Sequence, residues 1–279
     1  MPEPRAFVIG HPISHSRSPL IHRHWLAMYG LAGAYDPVDV APPDLGRFLA
    51  GMAAAGFAGG NVTLPHKESA FAAASRHAGD AVAVGAVNTL WLEDGRLVGD
   101  NTDVFGFLAN LDERAPGWDS RETAMVLGAG GAARAIVHAL RQRGFSILIA
   151  NRTRARAEDL AGRHATNVAA VDWAERDRAL SDAGLLVNTT ALGLEGHGAD
   201  TLPVDLARLA DDALVTDIVY TPLITPFLAA ARARGLAIVD GLGMLLHQAR
   251  PGFARWFGVE PEVTPRLRAL VEADIGAKS

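Results

Sequence analysis

A chain of 279 residues, 49% hydrophobic and 20% charged, holds enough apolar material for one large α/β domain or two ordinary ones. That composition excludes a disordered chain, and 29 Gly with 15 Pro are too few and too aperiodic for a fibrous one. Nothing in a net charge of −5 argues for a nucleic-acid partner, the lack of Cys removes disulfides and thiolate chemistry, and no apolar run is long enough to span a membrane. The opening MPEPRAFVIG lacks the basic-then-apolar order of a signal peptide, so the expectation is a cytoplasmic globular protein.

In chain order, Ala6 to Gly10 reads as a strand, and Ser18-Pro19 as a helix start with Ser18 as N-cap. Tyr35 to Val40 is a weaker strand, and Asp44 to Ala55 reads as a helix closed by Gly56. Gly60 to Thr63 is a short strand leading into a helix from Lys67 to Ser75. Val87 to Leu92 and Leu97 to Gly99 flank Glu93-Asp94-Gly95-Arg96, a hairpin signal. A helix from Val104 to Leu111 and the Pro116-Gly117 segment then put a domain boundary near residues 100–120. Beyond it, strands at Thr123 to Leu127, Ile147 to Ala150, Leu185 to Asn188, Leu214 to Ile218 and Ala237 to Asp240 alternate with helices. That rhythm implies a parallel sheet with right-handed crossovers.

The strand ending at Leu127 runs into Gly128-Ala129-Gly130-Gly131-Ala132-Ala133 and a helix, the dinucleotide-binding arrangement with Ala in its third small position. Such a turn lets backbone amides and a helix N-terminus face a pyrophosphate. After the next strand, Asn151-Arg152-Thr153-Arg154-Ala155-Arg156 carries no acid for a ribose 2′-hydroxyl but three guanidinium groups. Guanidinium binds phosphate at two points, so NADP is favoured over NAD; the simpler reading, Thr153 as an N-cap, does not explain the missing acid.

The first hundred residues hold a second polar set, at strand ends: His11 to Pro19, Asn61 to Lys67, Gly85 to Thr89 and Gly99 to Asp103. Hydroxyls, amides, one Lys and one Asp suit a ligand carrying several hydroxyls and a carboxylate. Taken singly, Ser18 and Asp103 read as caps, and Asn88 and Asn101 as turn residues. Lys67 is harder to dismiss. Only Lys67 and Lys278 among 26 basic residues are Lys, and Lys can release a proton where Arg cannot. His15, His22, His24 and His66 lack metal-ligand spacing, so no metal is assigned.

PISHSRSP, NVTLPHK, GAVNT, GDNTDVFGF, GAGGAARA, NRTRAR and DGLGMLLHQ, in that order, resemble the shikimate dehydrogenase family over residues 8 to 248. The resemblance implies an α/β fold: an N-terminal α/β substrate domain over residues 1–104, a C-terminal Rossmann NADP-binding domain over 105–242, and final helices, 243–279, packing back on the first. It implies NADP-dependent reduction of 3-dehydroshikimate to shikimate, a step toward chorismate and the aromatic amino acids. Lys67 and Asp103 would be the catalytic pair, and Ser16 and Ser18 would hold the substrate carboxylate. Thr63, Asn88 and Gln248 would meet the ring substituents, and Tyr220 would also reach the substrate. Gly128, Ala129, Gly130, Gly131 and Ala132 would hold the pyrophosphate, and Asn151, Arg152, Thr153 and Arg156 the 2′-phosphate end. Ile218 and Gly241 would line the nicotinamide side. Met244 and Gln248 stand four apart on one helix, as residues lining one cleft should. Leu194, where the family often has Met, and the variable His11 are the departures, and neither touches the proposed chemistry. The expected partner is a small molecule, without nucleic acid or membrane, and monomer or homodimer stays open. A quinate/shikimate enzyme of broader specificity and a non-catalytic ligand sensor are the alternatives; two Ser in the carboxylate segment and the Arg-rich NRTRAR favour the shikimate, NADP type.

Overall fold

The computed structural model describes residues 3–164, 166–190 and 204–278, the last without its side chain. Leu194 lies outside the described residues. The chain folds as two compact units, Met1–Gly106 with Leu246–Val271, and Phe107–Leu245 with Glu272–Ser279.

The first unit holds six strands: β1 (Arg5–Gly10), β2 (Ala34–Asp39), β3 (Phe57–Val62), β4 (Arg76–His77), β5 (Thr89–Glu93) and β6 (Arg96–Asp100). Their spatial order is β2-β1-β3-β5-β6-β4. β1 lies parallel to both β2 and β3, whereas β5 runs antiparallel to β3 and to β6. The direction reversal at β5 has a consequence for function. It brings the ends of β1, β3 and β6 and the start of β5 to one edge of the sheet, and all four polar segments leave or enter there.

Phe7 packs edge-on against Phe48 and Phe57, at 5.0 and 5.1 Å between centroids. Each such ring contributes roughly 2–3 kcal/mol on burial. Gly59 and Gly60 of β3 make room for this packing. A Cβ on Gly60 would lie 2.2 Å from Phe7 Cδ2, and one on Gly59 2.3 Å from Trp256 Nε1. Trp256 belongs to the helix Leu242–Phe257, and its indole N–H donates to Leu90 O at 2.9 Å. Trp25 likewise donates to Glu262 O at 2.9 Å, so the late segment is part of the first unit's core.

Two local expectations need correction. Ser18 is the first helical residue of Ser18–Tyr29 rather than its cap; Arg17 holds the cap position, and Ser16 Oγ accepts from the Ser18 amide at 3.4 Å. The helix expected from Asp44 to Ala55 is a 3-10 turn, Pro42–Asp44, followed by Leu45–Gly51. Ala53, Ala54 and Ala55 are exposed, so they offer no apolar face to extend it.

The second unit is a parallel sheet of β7 (Thr123–Leu127), β8 (Ser146–Ala150), β9 (Val168–Val171), β10 (Leu185–Asn188), β11 (Leu214–Asp217) and β12 (Ala237–Val239). The order β12-β11-β10-β7-β8-β9 is that of a doubly wound Rossmann sheet, in which the order of strand addition reverses between β7 and β10 while all strands stay parallel. Met125, Leu127, Leu186, Val215 and Phe227 form part of its core. The helix Gly131–Gln142 buries Ala133, Ile136, Val137 and Leu140. Among the described residues no helix is long and apolar enough to cross a membrane.

Candidate active site

Backbone bonds first bring the polar segments of the first unit together. His11 N donates to Leu64 O at 3.1 Å and Val62 N to Asn88 O at 2.8 Å. Asn88 N donates to Asp100 O at 3.0 Å, and Val87 N to Lys67 O at 2.9 Å. Lys67 opens the helix Lys67–Ala73. Its neighbour His66 is buried, with Nε2 2.6 Å from Val40 O, which anchors the helix start to the chain leaving β2.

Lys67 Nζ lies 2.5 Å from Asp103 Oδ2, with side-chain exposures of 22% and 11%. Asn88 Nδ2 donates to Asp103 Oδ1 at 2.9 Å and points to Gln248 Oε1 at 3.4 Å. The Asp103 carboxylate thus meets Lys67 and Asn88, which sets aside the simple capping reading. Asn101 is more than a turn residue as well. It accepts from the Asp103 amide at 3.1 Å and donates to Ala86 O at 3.1 Å, tying the turn to the segment before Asn88.

Lys67, Asn88, Asp103 and Gln248 therefore form one cluster, and the Thr102 hydroxyl joins it by donating to Gln248 O at 2.8 Å. Ser16 and Thr63 are half-buried at the same sheet edge, and Ser18 is buried. Tyr35, absent from the polar segments, and Thr89, which lies in one of them but has no assigned role, belong to the network behind Asn88. Asn61, which the sequence places in the polar segment Asn61 to Lys67 without a role of its own, is in it too. Among the described residues no group of three His, Asp or Glu could hold a metal.

In the second unit, Gly128 takes φ +107°, and a Cβ there would lie 2.5 Å from Thr189 Oγ1. Thr189 in turn donates to Leu127 O at 2.7 Å, fastening the loop after β10 beneath the glycine turn. Gly130 and Gly131 have open space around them, Ala129 and Ala132 are half-buried, and no side chain caps the helix at Gly131. Backbone amides at such an end suit phosphate. Thr153 occupies the N-cap position of Arg154–Gly162 without a side-chain capping bond, and Asn151 Nδ2 donates to its carbonyl at 2.8 Å. Arg154 pairs with Glu158 and Asp172, which takes it out of the set of three guanidinium groups. Arg152 and Arg156 are exposed, with no ion pair among the described residues. The residues present therefore fit a dinucleotide with a phosphate at its adenosine end.

Ile218 and Tyr220 are half-buried after β11, and Gly241 is buried after β12. A Cβ on Gly241 would lie 2.5 Å from Ile218 O, so only Gly lets the two strand ends approach. Asp217, just before them, is buried and accepts from Asn188 Nδ2, the Val219 amide and the Thr225 hydroxyl. Burial nevertheless wins over these bonds and pushes its carboxyl up to about 6.

Two family models match: the shikimate dehydrogenase substrate-binding domain over residues 8–90, and shikimate / quinate 5-dehydrogenase over residues 112–195. A shikimate dehydrogenase (NADP(+)) of Mesorhizobium japonicum is 61% identical over 275 residues, 98% of each chain. The chain belongs to the shikimate dehydrogenase family. Within that family, the Thermus thermophilus shikimate 5-dehydrogenase structure with NADP(H) and shikimate superimposes with a TM-score of 0.86 at 37% identity, covering 98% of this chain and 99% of that one. The Corynebacterium glutamicum quinate dehydrogenase structure with NAD gives 0.89 at 30% identity, covering 97% and 99%. Likeness of fold thus spans both substrate types, and the difference between them has to be sought in side chains.

Proposed function

We propose that the chain catalyses the reversible, NADP-dependent interconversion of 3-dehydroshikimate and shikimate, on the route to chorismate and the aromatic amino acids. The observation that carries this reading is the Lys67–Asp103 pair, 2.5 Å apart among amides and hydroxyls at one sheet edge, in a chain of this family. Lys67 and Asp103 are assigned as the catalytic pair, and Ser16 and Ser18 as the carboxylate anchors. Thr63, Asn88 and Gln248 face the ring substituents, and Tyr220 completes the substrate set. Gly128 to Ala132 hold the pyrophosphate, and Asn151, Arg152, Thr153 and Arg156 the 2′-phosphate end. Ile218 and Gly241 lie on the nicotinamide side.

Bound NADPH supplies the hydride. The chain has to manage the proton on the substrate oxygen. Asp103 accepts one N–H of the Lys67 ammonium, leaving the others for that oxygen. In reduction, Lys67 Nζ gives a proton to the oxygen as it becomes an alkoxide, and partly exposed Lys67 recovers one from water. In oxidation the steps reverse: Lys67 first releases a proton to water, and its neutral amine then takes the hydroxyl proton. A cytoplasmic location suits an enzyme drawing on the NADP pool.

Purified protein mixed with shikimate and NADP, with quinate and NAD in parallel, tests the reading through nicotinamide absorbance. Fast reduction with shikimate and NADP alone is expected. Comparable rates with quinate or NAD would move the chain to the broader-specificity branch, and no reduction in any arm would favour a ligand sensor. Arg152→Ala and Arg156→Ala should each raise KM for NADP about tenfold, the worth of one charge-assisted hydrogen bond, with rates on NAD unchanged.

A further inference from the structure

Tyr35 is fully buried on β2, its ring stacked on His22 at 3.9 Å between centroids. Burial raises the phenol well above its ordinary value of 10, with the Ser18 side chain opposing, so the hydroxyl keeps its proton at neutral pH. That proton goes to Asn61 Oδ1, 2.6 Å away. The direction is fixed from the other side. Asn61 Nδ2 donates to Asn88 O at 3.1 Å and to Thr89 Oγ1 at 3.2 Å, so Oδ1 must be the atom facing Tyr35.

Thr89, having accepted from Asn61, donates its own proton to Asn88 Oδ1 at 3.0 Å. The Thr102 amide also donates there, at 2.8 Å. Two donors on one oxygen leave the Asn88 amide a single orientation, with Nδ2 toward Asp103. The bonds therefore run one way, from Tyr35 through Asn61, Thr89 and Asn88 to the carboxylate beside Lys67. In a buried setting such chains reinforce each link.

We propose that Tyr35 and Thr89 are positioning residues that, through Asn61, hold the Asn88 amide in the orientation that fixes Asp103 against Lys67. The proposal rests on the reading of Lys67 and Asp103 as the pair that handles the substrate proton. Neither Tyr35 nor Thr89 hydrogen-bonds to Lys67 or Asp103 itself.

Thr89→Val and Thr89→Ser separate the hydroxyl from the shape of the side chain, and Tyr35→Phe removes the first donor while keeping the stacked ring. Steady-state rates of shikimate oxidation by NADP are measured on the intact protein, with urea unfolding as a check that each variant is folded. Thr89→Val is expected to lower kcat about tenfold and Tyr35→Phe about threefold to tenfold, the effect of one hydrogen bond on a barrier. KM for NADP should stay unchanged in both, and Thr89→Ser should keep kcat within about twofold of wild type, because it restores the donor. Folded Thr89→Val and Tyr35→Phe proteins that both keep near-normal kcat would overturn the proposal. So would a Thr89→Ser variant as slow as Thr89→Val, since the lost methyl would then be the cause. Should Thr89→Val fail to fold, Tyr35→Phe and Thr89→Ser decide alone. A wild-type protein that turns over no shikimate with NADP would remove the functional reading and this proposal with it, whereas active wild type with unimpaired variants would remove only the proposal.

Discussion

Replacing His22 with Phe should make the stability of the protein less sensitive to acid. The His22 ring is fully buried, stacked on Tyr35 and edge-on to Trp25 at 5.6 Å. Neither ring nitrogen has a partner in hydrogen-bonding geometry, although the Asn61 side chain is close enough to favour the charged form. Burial outweighs that neighbour and lowers the ring from 6.5 to about 3. Between those values the unfolded chain binds a proton that the native chain refuses. The stability this group provides is therefore complete above pH 6.5 and is lost as pH falls toward 3. Over the full window this amounts to roughly 4–5 kcal/mol, or about 1.4 kcal/mol for each pH unit. His22→Phe keeps the stacking surface and has nothing to titrate. At pH 7.5 it should be at least as stable as wild type, because a buried, unpaired N–H costing about 1–3 kcal/mol disappears. Urea unfolding followed by Trp fluorescence at pH 7.5, 6 and 5 reads the difference, and the gap should widen below pH 6.5. Wild type and variant losing stability in parallel on acidification would refute the reasoning.

Asp217 should act in the opposite sense in the second unit. Its folded value of about 6 lies above the ordinary 3.8, so native protein keeps a proton that the unfolded chain has released. Stability from this group falls as pH rises from about 4 to about 6 and is level beyond. Asp217→Asn, which keeps the shape and most of the bonds to Asn188, Val219 and Thr225, should abolish that fall in urea titrations across the same range. Lys67→Ala should lower kcat about 100- to 10,000-fold with little change in KM, as loss of a proton-transfer group does, and a near-normal kcat would take Lys67 out of the chemistry.

Where both faces of a strand are buried, the sequence pattern already marks its ends. Thr123–Leu127 and Leu185–Asn188 appear where the apolar runs place them, since polar or glycine residues stop the run on each side. Val168–Val171 pairs only with β8, at the sheet edge, and is partly exposed, so its apolar run is too weak to stand out from the surrounding loop. Ser18 misleads as a cap because Pro19 marks the first turn without fixing the position within it. In the candidate site, Lys67 stands out against an Arg-using background, and Asp103 within a polar run. Tyr35 does not, and Thr89 ends a polar run without any sign of its role. Their part depends on partners 26 and 28 residues away at Asn61, and no local spacing encodes a contact of that range.

With the site residues proposed above, the two units would recognise their ligands by different physics, and the difference bears on how easily each specificity can change. In the first unit the acceptors and donors around Asn88 are buried and already paired with one another in one direction. Each of these groups is satisfied by another within the unit, so substituting any one of them leaves a buried partner unpaired, at a cost of about 1–3 kcal/mol. In the second unit the proposed cofactor contacts are backbone amides at a helix end and two exposed guanidinium groups, Arg152 and Arg156. Water can solvate either guanidinium when no phosphate is present, so each adds only its charge-assisted bond, about 1.5–3 kcal/mol. Preference for NADP over NAD should accordingly yield to substitution of two surface residues. Preference for shikimate should not yield without rebuilding the hydrogen-bond order that runs from Tyr35 to Asp103.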